Sequence, residues 1–135
     1  MSDRPFLDTN VVLYAFVRGD PRGPIAEALL ASGATVSVQV LNEFCAIARR
    51  KLGMSWSEVG EALEVVRTLS GSVVPITLDT HGAALAIAGR YGYRIYDALI
   101  VAAALAARCD LVLSEDLQDG QRIDGLVIRN PFKGA

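Results

Sequence analysis

The sequence predicts an α/β domain with a mainly parallel central sheet of four or five strands and helices on both faces. Three observations carry that expectation. Apolar residues make up 52% of the chain but Phe, Trp and Tyr only 7%, so the core must be built from Ala, Val, Leu and Ile, a palette that suits strands buried on both sides. Short β-branched runs alternate with longer helical segments, and strands separated by helices favour right-handed crossovers into one sheet. No repeat, low-complexity segment or linker interrupts the alternation, and 135 residues is an ordinary length for one domain, so residues 1–135 read as a single unit.

Arg4 to Asp8 reads as the first strand, and Asp8 is also a favoured N-cap for a helix beginning near Thr9. Pro24 suits the first turn of the next helix and Gly33 its end. Thr35 to Val38 forms the second strand. The segment "VLNEFCAIARRKLG" then closes with three cations and Gly53, an ordinary helix terminus. In "MSWSEVGEALEVVRTLSG", Ser55 and Glu58 have capping-box spacing and Met54 can staple onto Val59. Val73 to Leu78, Leu111 to Ser114 and Leu126 to Arg129 complete five strands. Between the third and fourth, "DALIVAAALAAR" is apolar nearly all round, which implies a buried helix.

Its apolar run, Ala98 to Ala107, falls well short of the roughly 20 residues a membrane span needs. "MSDRPF" carries no secretory pattern, and the expected location is cytoplasmic. Cys45 and Cys109 lie far apart without metal-ligand neighbours, so they read as reduced core thiols. A net charge of −2 argues against a broad basic surface for nucleic acid. Any such contact must be local or metal-assisted.

Four acids stand out, each beside a plainer explanation. In parallel sheets ligands gather beyond the carboxyl ends of the strands; Asp8 ends the first strand and Asp116 follows the fourth by two residues, so both belong to one rim. Asp8 also serves as a simple cap. Glu43 interrupts an apolar stripe, and Gln39, Val40, Ala46 and Ile47 fill its i±3 and i±4 positions without a cation; otherwise it is a solvated helix acid. Asp97 suits the field at a helix start, but a buried helix leaves its carboxylate in need of a partner. Asp116 shares its loop with Glu115 and Asp119, and Ser114 at the strand end is placed to orient it. Converging acids would be pushed toward the protonated form unless positive charge offsets them. Oxygen donors and a scarcity of His and Cys select Mg²⁺ or Mn²⁺ over zinc. His81, the lone histidine, receives no role.

The segments "FLDTN", "VLNEF", "IYDALIVAAAL" and "LVLSEDLQDGQRIDGLVIRNPF" together resemble a PIN domain, specifically a VapC-type toxin ribonuclease of a type II toxin–antitoxin system. The resemblance spans almost the whole chain and implies a three-layer α/β/α sandwich. It also implies that Asp8, Glu43, Asp97 and Asp116 bind Mg²⁺ or Mn²⁺ for hydrolysis of RNA phosphodiester bonds, with Asn10 and Ser114 positioning them and Asp119 as an accessory acid. Ser114 stands where many relatives have Thr. Partners implied are an RNA substrate, a VapB-type antitoxin and a second copy in a homodimer. Arg90 and Arg94, preceding Asp97, are candidate phosphate contacts whose plainer reading is a solvated helix end.

Two other functions compete. A haloacid-dehalogenase-type phosphatase would use Asp8 as nucleophile, but that chemistry wants an acid where Asn10 stands and a lysine absent between Asp97 and Asp116. A noncatalytic PIN-like module binding RNA or protein would not need all four acids.

Overall fold

A computed structural model describes residues 5–134. Its elements run β1 (Pro5–Leu7), α1 (Thr9–Tyr14), α2 (Gly23–Ala31), β2 (Thr35–Ser37), α3 (Val38–Arg50), α4 (Trp56–Leu69), β3 (Ser72–Val74), α5 (Leu78–Tyr91), α6 (Ile95–Ala106), β4 (Leu111–Leu113), β5 (Arg122–Ile123) and β6 (Leu126–Arg129). They build the α/β/α sandwich around one six-stranded sheet of order β3-β2-β1-β4-β6-β5. All neighbours are parallel except β5 and β6.

The strand order reverses at β1. From there β2 and β3 are added on one side and β4 on the other, so right-handed crossovers carry α1–α4 over one face and α5–α6 over the opposite one. The contacts agree: α1 packs on α2 and α3, α3 on α4, and α5 on α6. Phe6 and Leu7 of β1, Val36 of β2, Val112 of β4 and Ile128 of β6 are buried in the middle layer. Ala98 to Ala104 of α6 is buried without interruption, as its all-round apolarity predicts.

Several boundaries differ from the sequence reading, each for a local reason. The part of the first strand at Arg4 lies outside the described residues, and Asp8 has left the ladder to cap α1. The third strand stops at Val74 because Pro75 lacks a ladder donor and Thr77 caps α5 in a box with Thr80, making Leu78 helical. The sheet has six strands rather than five. The added β5 pairs with β6 through a two-residue turn, Asp124 and Gly125, both at positive φ (48° and 85°). An Asp-Gly pair is a strong signal for that hairpin. The capping box of Ser55 and Glu58 forms as expected. Among the described residues, no helix is long and apolar enough to cross a membrane.

Candidate active site

The reversal point between β1 and β4 is where an open parallel sheet leaves a crevice at its carboxyl edge. Asp8 leaves β1 there and Ser114 leaves β4 beside it. The main chain ties the two ends together, Asp8 N–H donating to the Leu113 carbonyl at 3.0 Å. The Asp8 carboxylate is only 7% exposed. One oxygen accepts the Thr9 N–H and the other the Ser114 hydroxyl, both at 2.7 Å. Thus the oxygen left over from capping is not idle, although each carboxylate oxygen keeps a further lone pair for a ligand.

Ser114 is fully buried, and its hydroxyl oxygen accepts the N–H groups of Asp116 and Leu117 at 3.1 and 3.0 Å. Its one proton is therefore directed at Asp8. Ser114 orients Asp116 through the backbone, while Asn10, two residues beyond Asp8, donates its side-chain amide to the Asp116 carboxylate. Glu43 reaches the same edge from α3. It accepts the Thr9 hydroxyl at 2.6 Å and the Gln39 amide at 2.9 Å. Asp97 lies in the first turn of α6, with Arg94 Nε 3.6 Å from its carboxylate.

These four acids line one cleft of about 630 Å³, together with Asn10, Gln39, Arg50, Lys51, Arg94 and Tyr96. Their charges are under-compensated. Burial, opposed by the Ser114 and Thr9 hydrogen bonds and reinforced by Asp116 and Glu43, raises Asp8 to about 6. Asp116 is raised as well, chiefly by burial and then by the charges of Glu115, Asp97 and Glu43, with Arg94 acting in the opposite direction.

Not every candidate belongs to this cleft. Asp119 does not line it; its carboxylate accepts the Asn130 N–H at 2.8 Å and pairs with Lys133 at 2.7 Å, which holds its pKa below the usual carboxylate range. Arg94 lines the cleft, whereas Arg90 is exposed with its guanidinium 5.2 Å from the Tyr91 ring centroid. His81 is exposed on α5. Conversely, Thr9 and Gln39, which grip Glu43, were not read as site residues in the sequence, nor were Arg50 and Lys51, taken there as an ordinary helix end, or Tyr96. Arg50 was legible: it lies seven residues after Glu43, two turns along the same helical face.

The PIN domain family profile matches residues 6–125. The chain belongs to the PIN domain family. Solved structures with this fold include VapC20 of Mycobacterium tuberculosis, a Sarcin-Ricin loop cleaving toxin, at TM-score 0.67 and 23% identity over 83% of this chain and 91% of that one. A toxin–antitoxin complex from Klebsiella pneumoniae gives TM-score 0.71 and 19% identity over 95% of this chain and 98% of that one. VapBC2 of Rickettsia felis, bound to a DNA fragment from its promoter, gives 0.65 and 19% over 93% and 97%. No curated protein matches the chain.

Membership in the PIN family displaces the phosphatase alternative. In this PIN domain, Asn10 is occupied as a donor to Asp116 and does not stand in for a second acid beside a nucleophile. The donor set suits a hard divalent ion, being carboxylates whose pKa values are raised first by burial and then by neighbouring negative charge. Among the described residues, no group of three or more acids, His or Cys stands close enough together to hold a metal ion by itself. That spacing is compatible with Mg²⁺, which keeps several waters and takes one or two carboxylates.

Proposed function

We propose that this PIN domain is a Mg²⁺- or Mn²⁺-dependent endoribonuclease and the toxin of a VapBC-type pair, acting in the cytoplasm. The observation that carries the reading is the convergence of Asp8, Glu43, Asp97 and Asp116 on one cleft, with the pKa values of Asp8 and Asp116 raised first by burial and then by neighbouring charge. Asp8, Asp97 and Asp116, with Glu43, would hold the ion. When bound it supplies Lewis acidity and neutralises charge developing on the phosphate.

The protein's own groups supply the positioning. Ser114 and the Thr9 N–H fix both Asp8 oxygens, and Asn10 holds Asp116 against the helix that Asp8 caps. Glu43 or Asp97, carried by the contacting helices α3 and α6, would orient the attacking water and take its proton. In hydrolysis, the bond from water oxygen to phosphorus forms as the bond to the leaving ribose oxygen breaks. No covalent enzyme intermediate is required.

The antitoxin and a second copy of the chain are the expected partners; two of the similar structures are toxin–antitoxin assemblies by their descriptions. Exposed apolar side chains such as Trp56, Leu78 and Leu85 leave surface for such contacts. The test is RNA cleavage by purified protein with Mg²⁺, Mn²⁺ or EDTA, alongside Asp8→Asn and Asp97→Asn. Divalent-dependent cleavage is expected for the parent only. Equal cleavage by all three proteins would exclude this site. Growth arrest on expression, relieved by the product of the neighbouring gene, tests the toxin assignment separately.

A further inference from the structure

Tyr96 is an aromatic side chain that the fold leaves in the cleft. It precedes Asp97 in the first turn of α6, and from Ala98 onward that helix is buried. Yet Tyr96 is 58% exposed while lining the same cleft as the four acids. Among the described residues no ring or guanidinium packs on it, in contrast to Trp56, which carries Arg49 at 4.8 Å from its ring centroid.

Around it the same cleft gathers cations from two elements. Arg50 and Lys51 come from the end of α3, and Arg94 from the N-cap of α6. Four carboxylates against three cations leave the cleft net negative. One divalent ion reverses that sign, so a polyanion is admitted to a cleft that is both charged and provided with an unoccupied π-face.

We infer that Tyr96 is a stacking platform for an unpaired base of the substrate, with Arg50, Lys51 and Arg94 taking the flanking phosphates. The inference rests on the nuclease reading above and adds residues that select for an accessible base. A base within a duplex has both faces occupied by its neighbours, so the ring favours an unstacked nucleotide. Arginine and lysine supply contacts that are indifferent to sequence.

The test uses the full chain carrying Asp8→Asn, which prevents cutting and leaves three carboxylates against three cations, so that RNA is admitted without the ion, and follows the fluorescence anisotropy of short single-stranded and duplex RNA. Adding Tyr96→Ala is expected to weaken single-strand binding roughly 5- to 150-fold, the range seen when a stacking aromatic is removed. Tyr96→Phe restores it, and duplex binding stays unchanged. Arg50→Ala and Lys51→Ala are each expected to reduce the slope of log affinity against log salt by about 0.7. Unchanged single-strand binding by Tyr96→Ala, a Tyr96→Phe variant as weak as the alanine, or an equal loss on duplex RNA would overturn the stacking role. So would failure of the Asp8→Asn parent to bind single strands. Cleavage by the unmodified chain is scored in parallel: divalent-dependent cleavage together with an inert Tyr96 sinks the platform and leaves the nuclease standing.

Discussion

Glu115 and Asp116 are adjacent in sequence and have opposite surroundings. Glu115 faces Arg22, which donates to both its oxygens at 2.9 and 3.0 Å, and Tyr14, whose hydroxyl donates at 2.6 Å. Arg22 also grips Asp20, holding it down at about 2, and lies 3.7 Å over the Tyr14 ring. Asp116 faces Asn10 and three other carboxylates with only Arg94 in opposition, and its pKa is raised first by burial and then by the charges of Glu115, Asp97 and Glu43. Helix α1 serves both sides, Asn10 and Tyr14 lying one turn apart on it. Acids alone therefore do not mark a site here. The mark is acid left without a matched cation, because only that arrangement keeps ligand capacity in reserve.

Breaking each side separately gives the largest contrast. Asp116→Asn and Asp8→Asn should each lower RNA-cleavage kcat/KM by at least about 100-fold, the usual cost of removing a preorganised electrostatic group. Glu115→Gln, one residue away, should change it only a few-fold, since Arg22 and Tyr14 can still meet an amide oxygen. Comparable losses at positions 115 and 116 would mean that the two acids are not functionally distinct.

The order reverses for stability. Arg22→Ala strips from Glu115 and Asp20 the one cation they share, at a partly exposed position where solvent screening keeps the loss modest. Thermal unfolding should fall by several degrees. Pairing Arg22→Ala with Glu115→Gln should recover part of the loss, because the charge stranded by the first change is then gone.

Much of this contrast was legible from residue types at strand ends. Asp8 and Asp116 could be placed on one rim because alternation of strands and helices fixes which ends of parallel strands coincide. Ser114 at the strand end already singled out Asp116, but what takes Asp119 out of the cleft was not legible. Lys133, which claims Asp119, is 14 residues further along, and its approach depends on the β5–β6 hairpin bringing the chain back. Glu43 was recognisable by the absence of a cation within one helical turn; its donor Gln39 already stood at the i−4 position, whereas Thr9, from another helix, required the fold. The hairpin itself was announced by Asp124-Gly125, but a two-residue strand carries too little pattern to register as alternation.

The smallest predicted effect comes from the proton on Asp8. Folded, it titrates near 6; unfolded, near 3.8. Between those values the folded state binds the extra proton, so this contribution to stability is fully present below about pH 4 and is lost as pH rises through 6. The shift corresponds to at most about 3 kcal/mol. Asp8→Asn escapes that loss but forfeits one of two hydrogen bonds, since an amide cannot accept from both Thr9 and Ser114, at about 1 kcal/mol. The variant should therefore be more stable than the metal-free parent by about 1–2 kcal/mol at pH 7.5, with no advantage at pH 4. Adding Mg²⁺ at tenfold its dissociation constant should return about 1.4 kcal/mol to the parent and much less to the variant. Denaturant melts at the two pH values, with and without the ion, read both signs; a parent more stable than Asp8→Asn at pH 7.5 without metal would show that Asp8 is matched by the protein itself, as Glu115 is.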